Sequence, residues 1–229
     1  IAVILPCLNE ENTVSRVIKD IRKVEKKIKQ IFFIIAIDDA SSDKTLAMIS
    51  NADFIVSLKE RKSVAEVIRI GIKEALKIKP DIVIHMDADG QHDAAEIPRL
   101  LNALETTNSD FVVGSRFLRK NNIPWKIRYG NLFFTKIVNL LISENLTDTQ
   151  SGFRAIKSSL MKKISLESYY TYTQEEIILA KKLRANITEV PINYIERKHG
   201  KSRVARNIFS YGFFVVIDLA KLIVRTRLC

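Results

Sequence analysis

The sequence is short of cysteine, of long unbroken apolar runs, and of acid relative to base. Two cysteines, Cys7 and Cys229, make no disulfide framework. Cys7 lies inside an apolar run and reads as a small core residue, not a nucleophile. Nothing at the start resembles a signal peptide; the chain opens on a β-like run without an initiator methionine. The most apolar stretch, 208–224, is broken by Asp218 and Lys221, whereas a spanning helix needs about 20 predominantly apolar residues. Repeats, low-complexity segments and linkers are missing, which favours one domain. Acidic residues number 26 against 37 lysines and arginines, a formal net charge of +11. That excess implies a negatively charged partner: nucleic acid, an anionic membrane face or a phosphorylated substrate. Basic segments interleaved with aromatics, as single-strand stacking requires, are absent, so nucleic acid is not expected. Part of the excess is bland, since Lys23, Lys26, Lys27 and Lys29 fall on the solvated face of a predicted helix.

What is present is the balance of a globular protein, 47% apolar and 28% charged in 229 residues. Short apolar runs alternate with helical patterns. Strands are predicted over 1–5, 31–37, 54–57, 81–86 and 111–113, and helices over 12–28, 42–49, 63–78 and 93–104. The first helix carries Val14, Val17, Ile18, Ile21 and Val24 on one side. Ser42 is a candidate helix cap, and Ser63 with Glu66 and Asp93 with Glu96 have capping-box spacing. The second half predicts helices at 125–142 and 174–183 and strands at 152–156 and 187–195, with Pro191 suggesting an edge. This alternation indicates an α/β domain with a mostly parallel sheet and helices on both faces. In such sheets ligands bind outside the carboxyl ends of the strands. Glu10, Asp38, Asp39, Asp87, Asp89, Ser115 and Arg116 all follow predicted strand ends, so they converge on one edge.

Asp87-Ala88-Asp89 sets two carboxylates on one side of an extended chain, and Gln91 adds an oxygen two positions on. Hard oxygen ligands of this kind suit Mg²⁺ or Mn²⁺ bridged to phosphate. Paired aspartates in a turn also serve as caps and chain breakers.

Six ordered motifs carry a family resemblance: 6–11 (PCLNEE), 38–43 (DDASSD), 85–92 (HMDADGQH), 114–117 (GSRF), 148–154 (DTQSGFR) and 196–202 (ERKHGKS). Together they resemble glycosyltransferase family 2 with the GT-A fold, and within it the dolichyl-phosphate mannose synthase and polyprenyl-phosphate glycosyltransferase branch. The resemblance covers essentially the whole chain. It implies a GT-A domain over 1–203 and a C-terminal amphipathic or membrane-associated helix, 204–229, within the same unit. It also implies an inverting transfer from a nucleoside-diphosphate sugar, GDP-mannose before UDP-glucose or UDP-N-acetylglucosamine, to polyprenyl or dolichyl phosphate. The protein would sit peripherally on the cytoplasmic face of an anionic membrane. By the same resemblance Pro6, Leu8, Asn9, Glu10, Asp38, Asp39, Asp87 and Ala88 hold the nucleotide, and Asp87, Asp89 and Gln91 hold Mg²⁺ or Mn²⁺. Asp89, Arg116, Arg128 and Arg197 serve catalysis, and Gln150, Ser151, Arg154, Lys201, Ser202 and Arg203 face the acceptor or its phosphate. Two departures stand out: Leu8 replaces a frequent Tyr, and Arg61-Lys62-Ser63 lacks the usual glycines.

Competing readings accompany these roles. Asp39 and Asp43 suit helix entry, His92 a loop without a role, Arg128 a helix face, and Arg154 a structural ion pair. Glu175 and Glu176 resemble a catalytic-base position in some relatives, although Thr173 and Glu176 have capping-box spacing. The stretch 208–224 suits an interfacial helix with Lys221, Arg225 and Arg227 at headgroups, and equally a helix in the core or at a dimer contact. A soluble or protein acceptor, or an inactive GT-A binding module, are the alternative functions.

Overall fold

The computed structural model describes residues 1–197, 215–218, 220–222 and 224–225. Strands β1 (Ala2–Cys7), β2 (Phe33–Asp38), β3 (Phe54–Ser57), β4 (Ile82–His85), β5 (Phe111–Ser115), β6 (Arg154–Lys157) and β7 (Ile187–Pro191) form one sheet in the order β3-β2-β1-β4-β6-β5-β7. All pairings are parallel except those of β6, which runs antiparallel to both β4 and β5. Side chains alternate between two cores. In β1, Ala2 and Ile4 face one layer while Val3, Leu5 and Cys7 face the other. A strand covered on both faces needs apolar residues at every position, which is why β1 and β2 read as continuous runs.

The layer against Val3 and Leu5 is built by α1 (Val14–Ile28) and α4 (Ile97–Thr106). The five predicted apolar residues of α1 are all buried. The opposite layer takes α3 (Val64–Lys77), α5 (Trp125–Ile142) and α7 (Tyr172–Lys182). Short helices α2 (Thr45–Met48) and α6 (Ser158–Met161) follow β2 and β6, and residues 215–218, 220–222 and 224–225 are also helical. Ser63 caps α3 as expected, its Oγ accepting from Glu66 N at 3.1 Å. Pro191 ends an edge strand, as its missing N–H requires.

Three local expectations need correction. Ser42 does not cap α2, whose N-cap is Lys44; Asp43, read as a helix-entry residue, accepts from Thr45 N through Oδ1 at 2.9 Å. Glu96 does not close a capping box; its carboxylate pairs with Arg99 at 2.7 Å and Arg119 at 3.3 Å. Thr173 lies inside α7, donating to Gln174 Oε1 at 2.7 Å, so capping does not explain Glu176.

The C-terminal stretch also differs from the interfacial expectation where it is described. Val215 and Leu222 are buried in the core that contains α7. Asp218 accepts from Tyr170 N at 2.8 Å, and Arg225 pairs with Glu175 at 2.6 Å and Glu167 at 2.8 Å. Arg225 therefore faces protein carboxylates, not headgroups. Among the described residues no helix is long and apolar enough to cross a membrane.

Replacing Ser63 with alanine removes the cap at the end of α3 nearest the strand carboxyl ends. Equilibrium denaturation is expected to show a loss of about 1 kcal/mol with an unchanged denaturant slope.

Candidate active site

The carboxyl ends of β1, β2 and β4 open onto a cavity of about 260 Å³. After β1 the chain turns through Asn9, whose φ of 55° lies in the left-handed region that Asn tolerates. Asn9 Oδ1 accepts from Ser42 N at 2.8 Å, and Glu10 N donates to Thr45 Oγ1 at 2.7 Å. These bonds brace the loop after β1 against the loop after β2. Thr13 Oγ1 then donates to Ala88 O at 2.9 Å, tying the same loop to the D-A-D turn. The turn closes through Gly90 at φ 76°, where a Cβ would lie 2.7 Å from Arg16 Nη2.

Pro6, Leu8, Glu10 and Asp39 line one side of the cavity, and Asp87, Ala88, Asp89, Gln91 and Arg197 the other. Asp39 is buried and accepts from Lys62 N at 2.6 Å. Asp89 Oδ1 accepts from Gln91 N at 2.9 Å, while its Oδ2 lies 3.4 Å from Arg197 Nη1. The other end of the Arg197 guanidinium is bonded to Glu10. Asp87 has 40% of its side-chain surface open, and Gly152 lies against it, where a Cβ would sit 3.3 Å from Oδ2. Any side chain at residue 152 would crowd that carboxylate.

Enclosure by protein holds the carboxyls of Asp87, Asp89 and Glu10 above the usual range. For Asp87 the guanidiniums of Arg116, Arg197 and Arg154 work against that rise; for Asp89 the neighbouring Asp87 adds to it. Negative charge here is incompletely balanced, which is the condition a cation relieves. Among the described residues no three or more His, Cys, Asp or Glu side chains are grouped to hold a metal alone. Two carboxylates and the Gln91 side chain, completed by phosphate and water oxygens, fit the way Mg²⁺ is commonly held.

Arg116 stands behind Asp87 and is gripped at two points by Asp148, Nε to Oδ2 at 2.7 Å and Nη2 to Oδ1 at 2.8 Å. Asp148 is itself fixed by Glu189, which accepts from Asp148 N at 2.8 Å. Sequence reasoning passed over Asp148 and Glu189 as supports, although Asp148 opens one of the six motifs. His92 was also undervalued. It is buried, stacks on Phe153 at 5.0 Å, and accepts from Asp87 N at its Nδ1 at 3.1 Å. Burial pushes its imidazole down to about 4, so it stays neutral. Only its closeness to the aspartates signalled this support.

Several expected residues do not reach the cavity. Asp38 is buried below the edge, and Asn9 is spent on bracing. Arg128 is exposed on α5 above the Phe117 ring, at 5.8 Å. Gln150 accepts from Gln174 Nε2 at 2.6 Å, and Ser151 is fully buried. Arg154, also fully buried, pairs with Glu176 at 3.0 Å. Ser151 and Arg154 turn inward because their loop enters an antiparallel strand within the sheet, which fits the structural ion pair read for Arg154 and not a place at an acceptor phosphate, while Gln150 is half-buried. Glu175 is 1% exposed and accepts from Ser168 N at 2.9 Å, so it too lies away from the cavity. Lys201, Ser202 and Arg203 lie outside the described residues.

The family model for glycosyl transferase family 2 matches residues 2–165. An uncharacterized protein of Methanocaldococcus jannaschii is 34% identical over 226 residues, covering 96% of this chain and 90% of its own length. The UDP-N-acetylglucosamine–dolichyl-phosphate N-acetylglucosaminyltransferase of Methanococcus voltae is 28% identical over 246 residues, covering 97% and 96%. Among solved structures, glucosyl-3-phosphoglycerate synthase of Mycobacterium tuberculosis, in complex with Mn²⁺, UDP and glucosyl-3-phosphoglycerate, superposes with a TM-score of 0.74. It is 19% identical and covers 96% of this chain and 78% of that one, a likeness of fold alone.

His92 supplies a pH test. Its folded value of about 4 lies below the ordinary 6.5, so as the pH falls from 6.5 toward 4 the unfolded chain takes up a proton the folded chain refuses. Stability is therefore lost toward acid. Between pH 7.5 and 4.5, His92→Asn is expected to lose about 2 kcal/mol less stability than the wild type, measured by denaturant titration at each pH.

Proposed function

This chain belongs to glycosyl transferase family 2, and from that premise we propose that it moves a hexosyl group from a nucleoside-diphosphate sugar to a polyprenyl or dolichyl phosphate. The observation carrying this reading is the single cavity that Asp39, Asp87, Asp89 and Arg197 line together. Acid there serves a cation and the nucleoside, and guanidinium serves the diphosphate. The family resemblance favours GDP-mannose as donor. The Methanococcus voltae relative is named for UDP-N-acetylglucosamine, which makes that donor, with UDP-glucose, the main competitor.

As the glycosidic bond breaks, the diphosphate gains charge and the sugar takes on oxocarbenium character. A Mg²⁺ or Mn²⁺ ion held by Asp87, Asp89 and Gln91 would stabilise that leaving-group charge. The chain's own residues do the rest. Arg197, anchored between Glu10 and Asp89, brings positive charge to the cavity. Arg116, fixed by Asp148, adds a field from behind Asp87. Pro6 and Leu8 form an apolar wall for the base, and Asp39, steadied by the Lys62 N–H, accepts from the nucleoside. A phosphate oxygen of the acceptor forms its bond to the anomeric carbon as the bond to the diphosphate oxygen breaks, inverting the configuration. A lipid phosphate is already ionised near neutral pH and needs no general base. The inward-facing Glu175 and Glu176 are in keeping with that economy. Lys201, Ser202 and Arg203 are assigned to the acceptor phosphate.

The acceptor's lipid chain calls for an apolar surface, and α5 offers one. Trp125 and Tyr129 are 66% and 67% exposed, Phe133 59% and Leu140 83%, on a helix that also carries Arg128. Exposed aromatics beside cations suit the interfacial zone of a membrane. The protein would lie peripherally on the cytoplasmic face, with α5 in contact.

Transfer is tested with GDP-mannose, UDP-N-acetylglucosamine and UDP-glucose against a short polyprenyl phosphate, with Mn²⁺, Mg²⁺ or EDTA. One donor is expected to give metal-dependent transfer with inversion, seen by NMR of the product, and Asp89→Ala to lose at least about 10²-fold. Chelator-resistant transfer, a retained configuration or an inert protein would each refute the assignment, the last favouring a binding module. In vesicle sedimentation, Trp125→Ala/Phe133→Ala is expected to weaken binding to anionic liposomes several-fold. Donor hydrolysis should stay unchanged.

A further inference from the structure

Two fully buried ionisable side chains among the described residues are given no step in the mechanism above. Arg154 and Glu176 are both 0% exposed and pair at 3.0 Å. Burying an ion pair costs several kcal/mol per ion before mutual attraction returns it, and apolar residues of similar volume often stabilise as well or better. Stability alone is a weak reason for such a pair. Its geometry supplies another.

The remaining Arg154 donors reach backbone on two elements. Nε donates to Ser151 O at 2.7 Å and Nη2 to Thr149 O at 3.0 Å, both in the loop before β6. Nη1 donates to Thr173 O at 2.6 Å in the first turn of α7. Gln174 Nε2 adds a bond to Gln150 Oε1 at 2.6 Å, and a Cβ on Gly152 would come within 3.1 Å of the Tyr172 hydroxyl. One guanidinium thus bolts the loop 148–153 to the start of α7.

That loop touches the site at three points. Asp148 grips Arg116. Gly152 lies against the Asp87 carboxylate. Phe153 stacks on His92, which accepts the Asp87 N–H. We infer that Arg154 and Glu176 are positioning residues for the transfer, holding Asp87 and Arg116 in the geometry that binds the cation and diphosphate. This rests on the transferase reading of the cavity.

The test replaces the pair with apolar residues, Arg154→Met/Glu176→Leu, alongside the single Glu176→Gln, all in the full chain. Mn²⁺ affinity is read by electron paramagnetic resonance, nucleoside diphosphate affinity by calorimetry, and folding by the thermal midpoint. The double variant is expected to keep a cooperative transition at a lowered midpoint, because three buried carbonyls lose their donor, and to bind Mn²⁺ and nucleoside diphosphate at least about tenfold more weakly. Turnover should fall about 10²-fold, the scale of an ångström-size misplacement. Glu176→Gln should move both affinities the same way by a smaller factor. A folded double variant that binds both ligands as the wild type does overturns the inference. If the double variant fails to fold, unchanged affinities in Glu176→Gln overturn it instead. Wild-type protein that binds neither ligand overturns the transferase reading itself, whatever the variants do.

Discussion

Two carboxylates two residues apart, at the end of a central strand, must be kept ionised where protein crowds out water. At an effective dielectric near 20, like charges 4 Å apart repel by about 4 kcal/mol, and enclosure adds to that cost. Glu10 brings a third acid to the same cavity. Arg197 bonds Glu10 and reaches Asp89, and Arg116 with Arg154 lowers the cost at Asp87. The balance still leaves all three carboxyls raised. A site in this condition gains by taking up a cation, and loses that gain if its carboxylates drift apart. Most of the surrounding structure can be understood as preventing such drift.

The reversal of β6 is the topological part of that arrangement. Its first residue, Arg154, pairs with His85 at the end of β4 and with Val113 near the end of β5. A parallel strand there would deliver its first residues to the far edge of the sheet. Antiparallel, it brings the loop 148–153 onto the carboxyl edge, where Asp148 meets Arg116 and Gly152 meets Asp87. The β6-β5-β7 part of the sheet therefore contributes through a loop entering β6 as well as through Arg116 and Arg197 on chain leaving β5 and β7, whereas β1, β2 and β4 contribute only through loops leaving them.

Much of this was legible in the sequence. The fully apolar strands, the α1 stripe and the D-x-D at a strand end follow from periodicity and chain direction, because each depends on neighbours a few residues away. The six motifs located most of the cavity lining. What stayed open depends on partners far along the chain. For Arg154 a phosphate contact and a structural ion pair were both open, and the antiparallel register decides for the pair, with Glu176 22 positions on. Glu175 has the composition of a catalytic base but is spent on Ser168 and Arg225. Arg225 reads as a headgroup ligand until the C-terminal residues pack against the start of α7. Periodicity cannot distinguish a cation aimed at lipid from one aimed at a buried carboxylate.

The inward assignment of Glu175 and Glu176 bears on the choice of acceptor. A hydroxyl acceptor must lose a proton as it attacks, and that requires a base within hydrogen-bond reach. Among the described residues, the acids that line the cavity are Glu10, Asp39, Asp87 and Asp89. Glu10 is bonded to Arg197, Asp39 to the Lys62 backbone, and the other two form the proposed cation site. Under the proposed function each is committed to holding charge or nucleotide. An acceptor that arrives already anionic relieves the site of proton transfer and is drawn by the same basic excess that gives the chain its net charge of +11. The electrostatics that hold a diphosphate leaving group and those that attract a phosphate nucleophile have the same sign. With its acids answered by a bound cation, an edge carrying Arg197 and backed by Arg116 could serve both ends of the proposed reaction.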